Sequence, residues 1–409
     1  LSFSSSPRIL PSSSSSSSPS PQHTCDRGTR AVFVIALALL AMTSFTSVLL
    51  YFGGQETRLM TNGHRDVVHI AHMGNSFQFV NDLPRVLQSM GQGRIYQDSV
   101  LHGSLTFVSL LRRGNGMYYR WKSDAAYNET TGFYDYGACS MAQLLLGYDE
   151  KLYDFDTYYY DDGKNPCAKD QDYLAFRDAQ QQELLQKTAR TTPKWDYVVM
   201  NDQSVSPTIY QKRLKSADAL KSIYAPVLEQ IWATPILIQT WAYDADAADN
   251  HATMEFLVDV PTFTSLLVEG YELYFQTLSA ALPSQLQPKI APVGLAYLTI
   301  WEENYSFWSN KMFAADLFHP SPHGSYLEAC VVYITIFGQA PDPPSSQQTV
   351  ESLYNRSRVR HINGNEQPVP TDDEALYLRW IAQRVTLKGH VPSSLREAKL
   401  RRSNDDDGE

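Results

Sequence analysis

Four short blocks of this chain hold residue types suited to attacking and cleaving an ester. Gly74-Asn75-Ser76 closes the apolar run Val67 to Met73, and Gly103 follows Ser99-Val100-Leu101-His102. Asn201-Asp202 closes Tyr197-Val198-Val199-Met200, and Asp316-Leu317-Phe318-His319-Pro320 stands just before an apolar helix. Ser76 is the candidate nucleophile. A strand that turns sharply into a helix presents such a side chain at the sheet edge, with its amide at a helix N-terminus, where anions are favoured. A serine hydroxyl attacks poorly until an imidazole accepts its proton, and a carboxylate holds that imidazole in the correct tautomer. His319 and Asp316, three positions apart in one loop, supply that pair. Gly103, which has no Cβ to keep a carbonyl from its N–H, and the Asn201 amide are candidate oxyanion donors. Alone, each block also describes something ordinary, such as a capped turn, a turn glycine or an Asp beside a surface His. His323 is a rival base in an expected helix cap, and His72 and His102 lie near strand ends as structural or substrate-facing residues.

The elements that must position these groups alternate. Strands are expected at Val67 to Met73, ending near His102, at Trp195 to Met200, at Pro235 to Trp241 and, more weakly, at Ile290 to Gly294. Helical spacing marks Ala219 to Ala233, Phe263 to Leu282, Ser325 to Phe337 and Asp372 to Val385, with helix signals at Asp82 to Leu87. This alternation implies parallel βαβ units in a three-layer α/β/α sandwich, and catalytic groups of open α/β sheets gather at the carboxyl ends of the strands. About ninety residues separate Gly103 from Trp195, far more than one crossover needs. Aromatics in that insertion, Tyr118-Tyr119-Arg120-Trp121 and Tyr158 to Tyr160, suit either sugar stacking or an enlarged core.

In this order, Gly-x-Ser, Gly, Asn-Asp and Asp-x-x-His resemble the SGNH (GDSL-type) hydrolase superfamily over about residues 66 to 340, and a membrane-anchored branch of it. Trp195 to Val199, Thr240-Trp241 and Pro292-Val293-Gly294 add to the resemblance. It implies a flavodoxin-like, mostly parallel five-stranded sheet, no metal and no cofactor. It also implies Ser76 as nucleophile, Asp316 and His319 completing a triad, and Ser76, Gly103 and Asn201 as the oxyanion hole. Three features depart from the family pattern. Asn75 stands where Asp is usual, Val199 where Gly is usual, and the insertion at about 105–194 has no counterpart.

The formal charge of −10 and the lack of a long basic run argue against a nucleic-acid partner. Residues 1–30 read as a disordered Ser/Pro-rich tail. Residues Ala31 to Phe52 form a 22-residue run without charge. As a helix it spans roughly 33 Å, enough for a bilayer core, and it reads as a retained signal-anchor. Arg27 and Arg30 precede the span and Arg58 and Arg65 follow it, so charge leaves the orientation balanced. The sequons at Asn128, Asn304 and Asn355 tilt it towards a type II protein of the secretory pathway, with the C-terminal part lumenal or extracellular. That compartment permits a disulfide between Cys139 and Cys167. Cys25 lies beside the membrane, and Cys330 reads as a small core residue. Residues 341–390 are expected to form a helical extension and 391–409 a charged disordered tail.

The expected function is a membrane-anchored serine esterase removing acyl, chiefly acetyl, groups from a glycan or glycoconjugate. Two alternatives stay open: a glycan O-acyltransferase using the same triad, and a catalytically inactive carbohydrate-binding or scaffold protein.

Overall fold

The apolar and β-branched runs read as strands pair into a five-stranded, all-parallel sheet. A computed structural model describes residues 67–111, 127–128, 133–134, 141–147, 195–243, 259–346, 348–357 and 367–406. The Ser/Pro-rich tail, the Ala31 to Phe52 run, Cys25, the Cys139/Cys167 pair, the two aromatic stretches and most of the insertion lie outside these residues. Among the described residues no helix is long and apolar enough to cross a membrane.

The strands are β1 (Val68–Gly74), β2 (Ile95–Leu101), β3 (Tyr197–Met200), β4 (Thr234–Ile238) and β5 (Lys289–Ala291), in spatial order β2-β1-β3-β4-β5. Gly74 pairs with Leu101, Met73 with Met200 and Met200 with Leu237, so the carboxyl ends of these strands lie level. The strand order reverses between β1 and β3, which opens a crevice between the loops that follow them. Those loops carry Ser76 and Asn201.

Alternation along each strand feeds two cores. Ile70, Val199, Ile236 and Ile238 join one, while Ala71, Met73, Val198, Met200 and Leu237 join the other. A parallel sheet must cover both faces in this way. The helices are α1 (Ser76–Phe79), α2 (Leu83–Met90), α3 (Phe107–Leu110), α4 (Met141–Leu146), α5 (Tyr210–Ala219), α6 (Ala225–Ile231), α7 (Val260–Ala281) and α8 (Val293–Glu303). There follow α9 (Tyr305–Lys311), α10 (Pro322–Phe337), α11 (Val350–Ser357), α12 (Asp372–Thr386) and α13 (Ser393–Asp406). A π-helical turn, Leu220–Tyr224, joins α5 to α6, and the insertion contributes an antiparallel pair, Tyr127–Asn128 with Phe133–Tyr134.

Helix α10 explains how the site is held from below. Every residue from Pro322 to Ile336 is buried, as expected of a helix apolar all round. Its start lies three residues earlier than the apolar periodicity alone marks, because Ser321 caps it by accepting from Gly324 N–H at 3.2 Å and Pro322 tolerates the first turn. Cys330 is buried within it, and burial pushes its thiol up to about 12. The stretch read as a charged tail runs as α13, with Leu395 and Ala398 buried and Arg402 paired to Glu269 of α7 at 3.0 Å.

Candidate active site

Strand β1 ends in a turn that admits only glycine first. A Cβ on Gly74 would lie 1.9 Å from Asn201 Oδ1. Asn75 then adopts an extended conformation and caps α1, its Oδ1 accepting from Phe77 N–H at 3.2 Å. Its Nδ2 donates to Leu105 O and Asp202 O, both at 3.0 Å. Two amide donors thus tie the loops after β1, β2 and β3 together, which an ionised Asp here would have no protons to do. Ser76 follows, partly exposed, and its N–H makes no hydrogen bond to any described residue. The same holds for Gly103 N–H.

Asn201 is placed differently. Its Nδ2 donates to Asn75 Oδ1 at 2.9 Å and Asp202 O at 3.1 Å, and its Oδ1 accepts from Gln78 Nε2 at 2.8 Å and Asn75 N–H at 3.4 Å. Every amide proton is committed, so Asn201 braces the turn beneath Ser76 and must release a bond to serve a substrate. Neighbouring Asp202 is fully buried. Its carboxyl accepts from Tyr274 Oη–H at 2.7 Å and from Phe107 N–H at 3.1 Å, fixing α3 to the sheet. Burial raises its pKa against the pull of these bonds.

Asp316 and His319 meet as the spacing predicts. His319 Nδ1 lies 2.7 Å from Asp316 Oδ2, and Asp316 Oδ1 accepts the N–H groups of Phe318 (3.2 Å) and His319 (3.0 Å). Burial works to raise the Asp316 pKa, but the imidazole and these backbone donors outweigh it and hold the carboxyl below its usual range. An ionised Asp316 makes Nδ1 the protonated nitrogen and leaves Nε2 of the neutral ring a proton acceptor. Nε2 is buried and has no hydrogen-bond partner among the described residues. It is therefore not bonded to Ser76 Oγ in this structure.

What brings the serine arm to the histidine loop is a set of side chains to which sequence reasoning assigned no role. Phe77, next to Ser76, stacks on Trp241 at 4.4 Å and turns its edge to the His319 ring at 5.8 Å. Trp241 in turn stacks on Tyr297 at 4.7 Å, and its Nε1–H donates to Phe318 O at 3.1 Å. Asn81 Nδ2 donates to Pro320 O at 2.7 Å and to Ser325 Oγ at 2.8 Å. Only Trp241 carried a signal, as part of the Thr240-Trp241 resemblance.

The other histidines have separate duties. His323 is buried, its Nε2 3.1 Å from Glu374 Oε2 at the start of α12, which ties α10 to the capping box of that helix. His72 Nδ1 lies 2.9 Å from Gln78 Oε1 and His102 Nδ1 lies 3.0 Å from Gly103 O. Of the sequons, Asn304 is exposed and caps α9 by accepting from Phe307 N–H at 3.2 Å. Asn128 lies in the antiparallel pair and Asn355 in α11, both with side chains outside the described set. Among the described residues no group of three or more His, Cys, Asp or Glu could hold a metal ion.

Fold and site together define an α/β protein with an Asp-His pair and a partly exposed serine at the carboxyl edge of a parallel sheet. No protein-family model matches the chain, and no curated protein matches it. Among solved structures it is similar to the crystal structure of a DUF4886 family protein from Bacteroides uniformis ATCC 8492, at 16% identity over 72% of this chain and 94% of that one, with a TM-score of 0.42.

Proposed function

We propose that this chain is a serine esterase of SGNH type, built as a flavodoxin-like three-layer sandwich, that cleaves acyl esters, with acetyl groups on glycans or glycoconjugates as the leading substrates. The observation that carries this reading is the His319 imidazole, anchored by an ionised Asp316 at one nitrogen and, at the other, without a hydrogen-bond partner among the described residues, while Phe77 of the serine arm touches its ring.

The reaction follows from these groups. Substrate binding rotates Ser76 Oγ towards Nε2, a bond that free enzymes often leave loose. Nε2 takes the hydroxyl proton as Oγ bonds to the acyl carbon, and the N–H groups of Ser76 and Gly103 stabilise the oxyanion. The alcohol departs with the proton from Nε2, leaving an acyl-serine. Water then repeats the sequence and releases the acid. Asn201 contributes by holding the turn, and supplies a third donor only if it gives up a present bond. The apolar run Ala31 to Phe52 and the exposed Asn304 sequon support a type II placement with this domain lumenal or extracellular.

A fluorophosphonate probe tests the reading. The folded chain should be labelled and should hydrolyse p-nitrophenyl acetate, and Ser76→Ala should abolish both. Folded protein that takes no label would end it.

A further inference from the structure

One residue beside the Asp-His pair is of a type its backbone does not ask for. Leu317 has φ 63°, the left-handed region that glycine and asparagine adopt readily and leucine does not. The turn is complete without its side chain. Leu317 N–H donates to Ala314 O at 2.9 Å, and Asp316 Oδ1 takes the next two N–H groups. Nor does burial compensate, since the residue is 42% exposed. Trp232, another exposed apolar residue in this region, closes helix α6 and has that backbone for a reason; Leu317 ends no helix. Strained backbone of this kind clusters where ligands are held.

Rings gather at the next residue, Phe318. The Phe318 ring centroid lies 4.0 Å from that of His319, and Tyr243 stands 5.9 Å beyond Phe318. Leu317 directly precedes Phe318 in the chain and is exposed to solvent. We infer that Leu317 and Phe318 form a seat for an apolar acyl chain, so that Leu317 sets chain-length preference and the esters accepted extend beyond acetate to short and medium acyl groups. This rests on the esterase reading above and deepens it. An acyl chain laid on Leu317 removes its exposed face from water, a gain that grows with each methylene until the seat is filled.

The test uses the full chain in detergent with p-nitrophenyl acetate, butyrate and hexanoate. The wild type should turn over all three esters, and Leu317→Gly should lower the hexanoate-to-acetate ratio of kcat/KM by roughly tenfold. Leu317→Met, which keeps an apolar side chain, should hold the ratio near wild type. Glycine suits this backbone, so the urea midpoint of Leu317→Gly should not fall, which separates a lost seat from a lost fold. An active wild type whose ratio is unmoved in Leu317→Gly, or whose activity falls equally on all three esters, overturns the inference and leaves the esterase standing. A folded wild type inert towards every ester overturns both.

Discussion

His319 carries one nitrogen fixed by Asp316 and one, buried, without a hydrogen-bond partner among the described residues, and that asymmetry decides what single substitutions do. Asp316→Asn keeps an oxygen for the N–H groups of Phe318 and His319, so the turn survives. The amide nitrogen, however, cannot accept from Nδ1–H, and the imidazole then favours the wrong tautomer. The expected result is kcat lower by about 10³–10⁴-fold with KM little changed, measured on p-nitrophenyl esters; a loss under tenfold would remove Asp316 from the proposed triad. Asn201→Ala should behave otherwise. It removes one of the two bonds of Gln78 Nε2, which keeps Met73 O, and one of the two of Asn75 Oδ1, which keeps Phe77 N–H, so urea unfolding should show a loss of about 1–3 kcal/mol. A variant of full stability but much reduced kcat would mean that Asn201 serves substrate rather than the turn. At this scale the sequence was readable where chemistry demands rare residue types in order: the Asp-His pair stood out because Gly-x-Ser, Gly and Asn-Asp precede it. The engagement of Asn201 was not, because whether an amide faces substrate or a neighbouring loop depends on Gln78 and Asn75, which no spacing brings together.

Between elements, the decisive contact is Trp241, which joins the serine arm to the histidine loop. Its ring lies between Phe77 and Tyr297, and Nε1 reaches Phe318 O. Trp241→Phe keeps an aromatic ring in the stack but leaves the Phe318 carbonyl without this donor. Stability should fall by only about 1 kcal/mol, while kcat, on the proposed esterase reading, drops by roughly tenfold because the loop carrying His319 is held less firmly. Crystals or NMR of Trp241→Phe should show displacement confined to the loop around Phe318 and His319, and an unshifted loop with wild-type kcat would refute the role. The sequence placed Trp241 at the end of a strand, whereas β4 stops at Ile238 and the chain then leaves the sheet to deliver the indole. Apolar runs reveal strands because burial needs them; they cannot reveal where a strand yields to a single long-range hydrogen bond. Helix α13 was hidden for the opposite reason. Among its described side chains only Leu395 and Ala398 are buried, and charges that read as a solvated tail are partly spent on α7 as ion pairs.

Across the whole molecule, α10 lies enclosed by other elements and carries an acid inside them. Glu328 is fully buried, neither carboxyl oxygen has a hydrogen-bond partner among the described residues, and burial pushes its pKa well above the usual 4.5. The folded protein therefore holds a proton that the unfolded chain gives up, so this residue favours folding fully only below about pH 4.5 and weakens the fold as pH rises. On the other side of α10, burial lowers the His323 pKa despite Glu374, so stability is lost as pH falls through about 6.5. Glu374 itself is held at about 2, chiefly by the Thr371 backbone and His323 acting against burial, so its contribution goes as pH falls from 4.5 towards 2. The two limbs have different owners and can be separated. Replacing Glu328 by Met removes an unpartnered polar group from an apolar site of similar length, and should add about 1–3 kcal/mol at pH 7.5 in urea unfolding. It should weaken the decline towards high pH, to which buried Asp202 also contributes, and leave the acid limb of His323 and Glu374 intact. A variant less stable than wild type at pH 7.5 would show that the Glu328 carboxyl is engaged by a buried polar group, and that the enclosed helix depends on its acid.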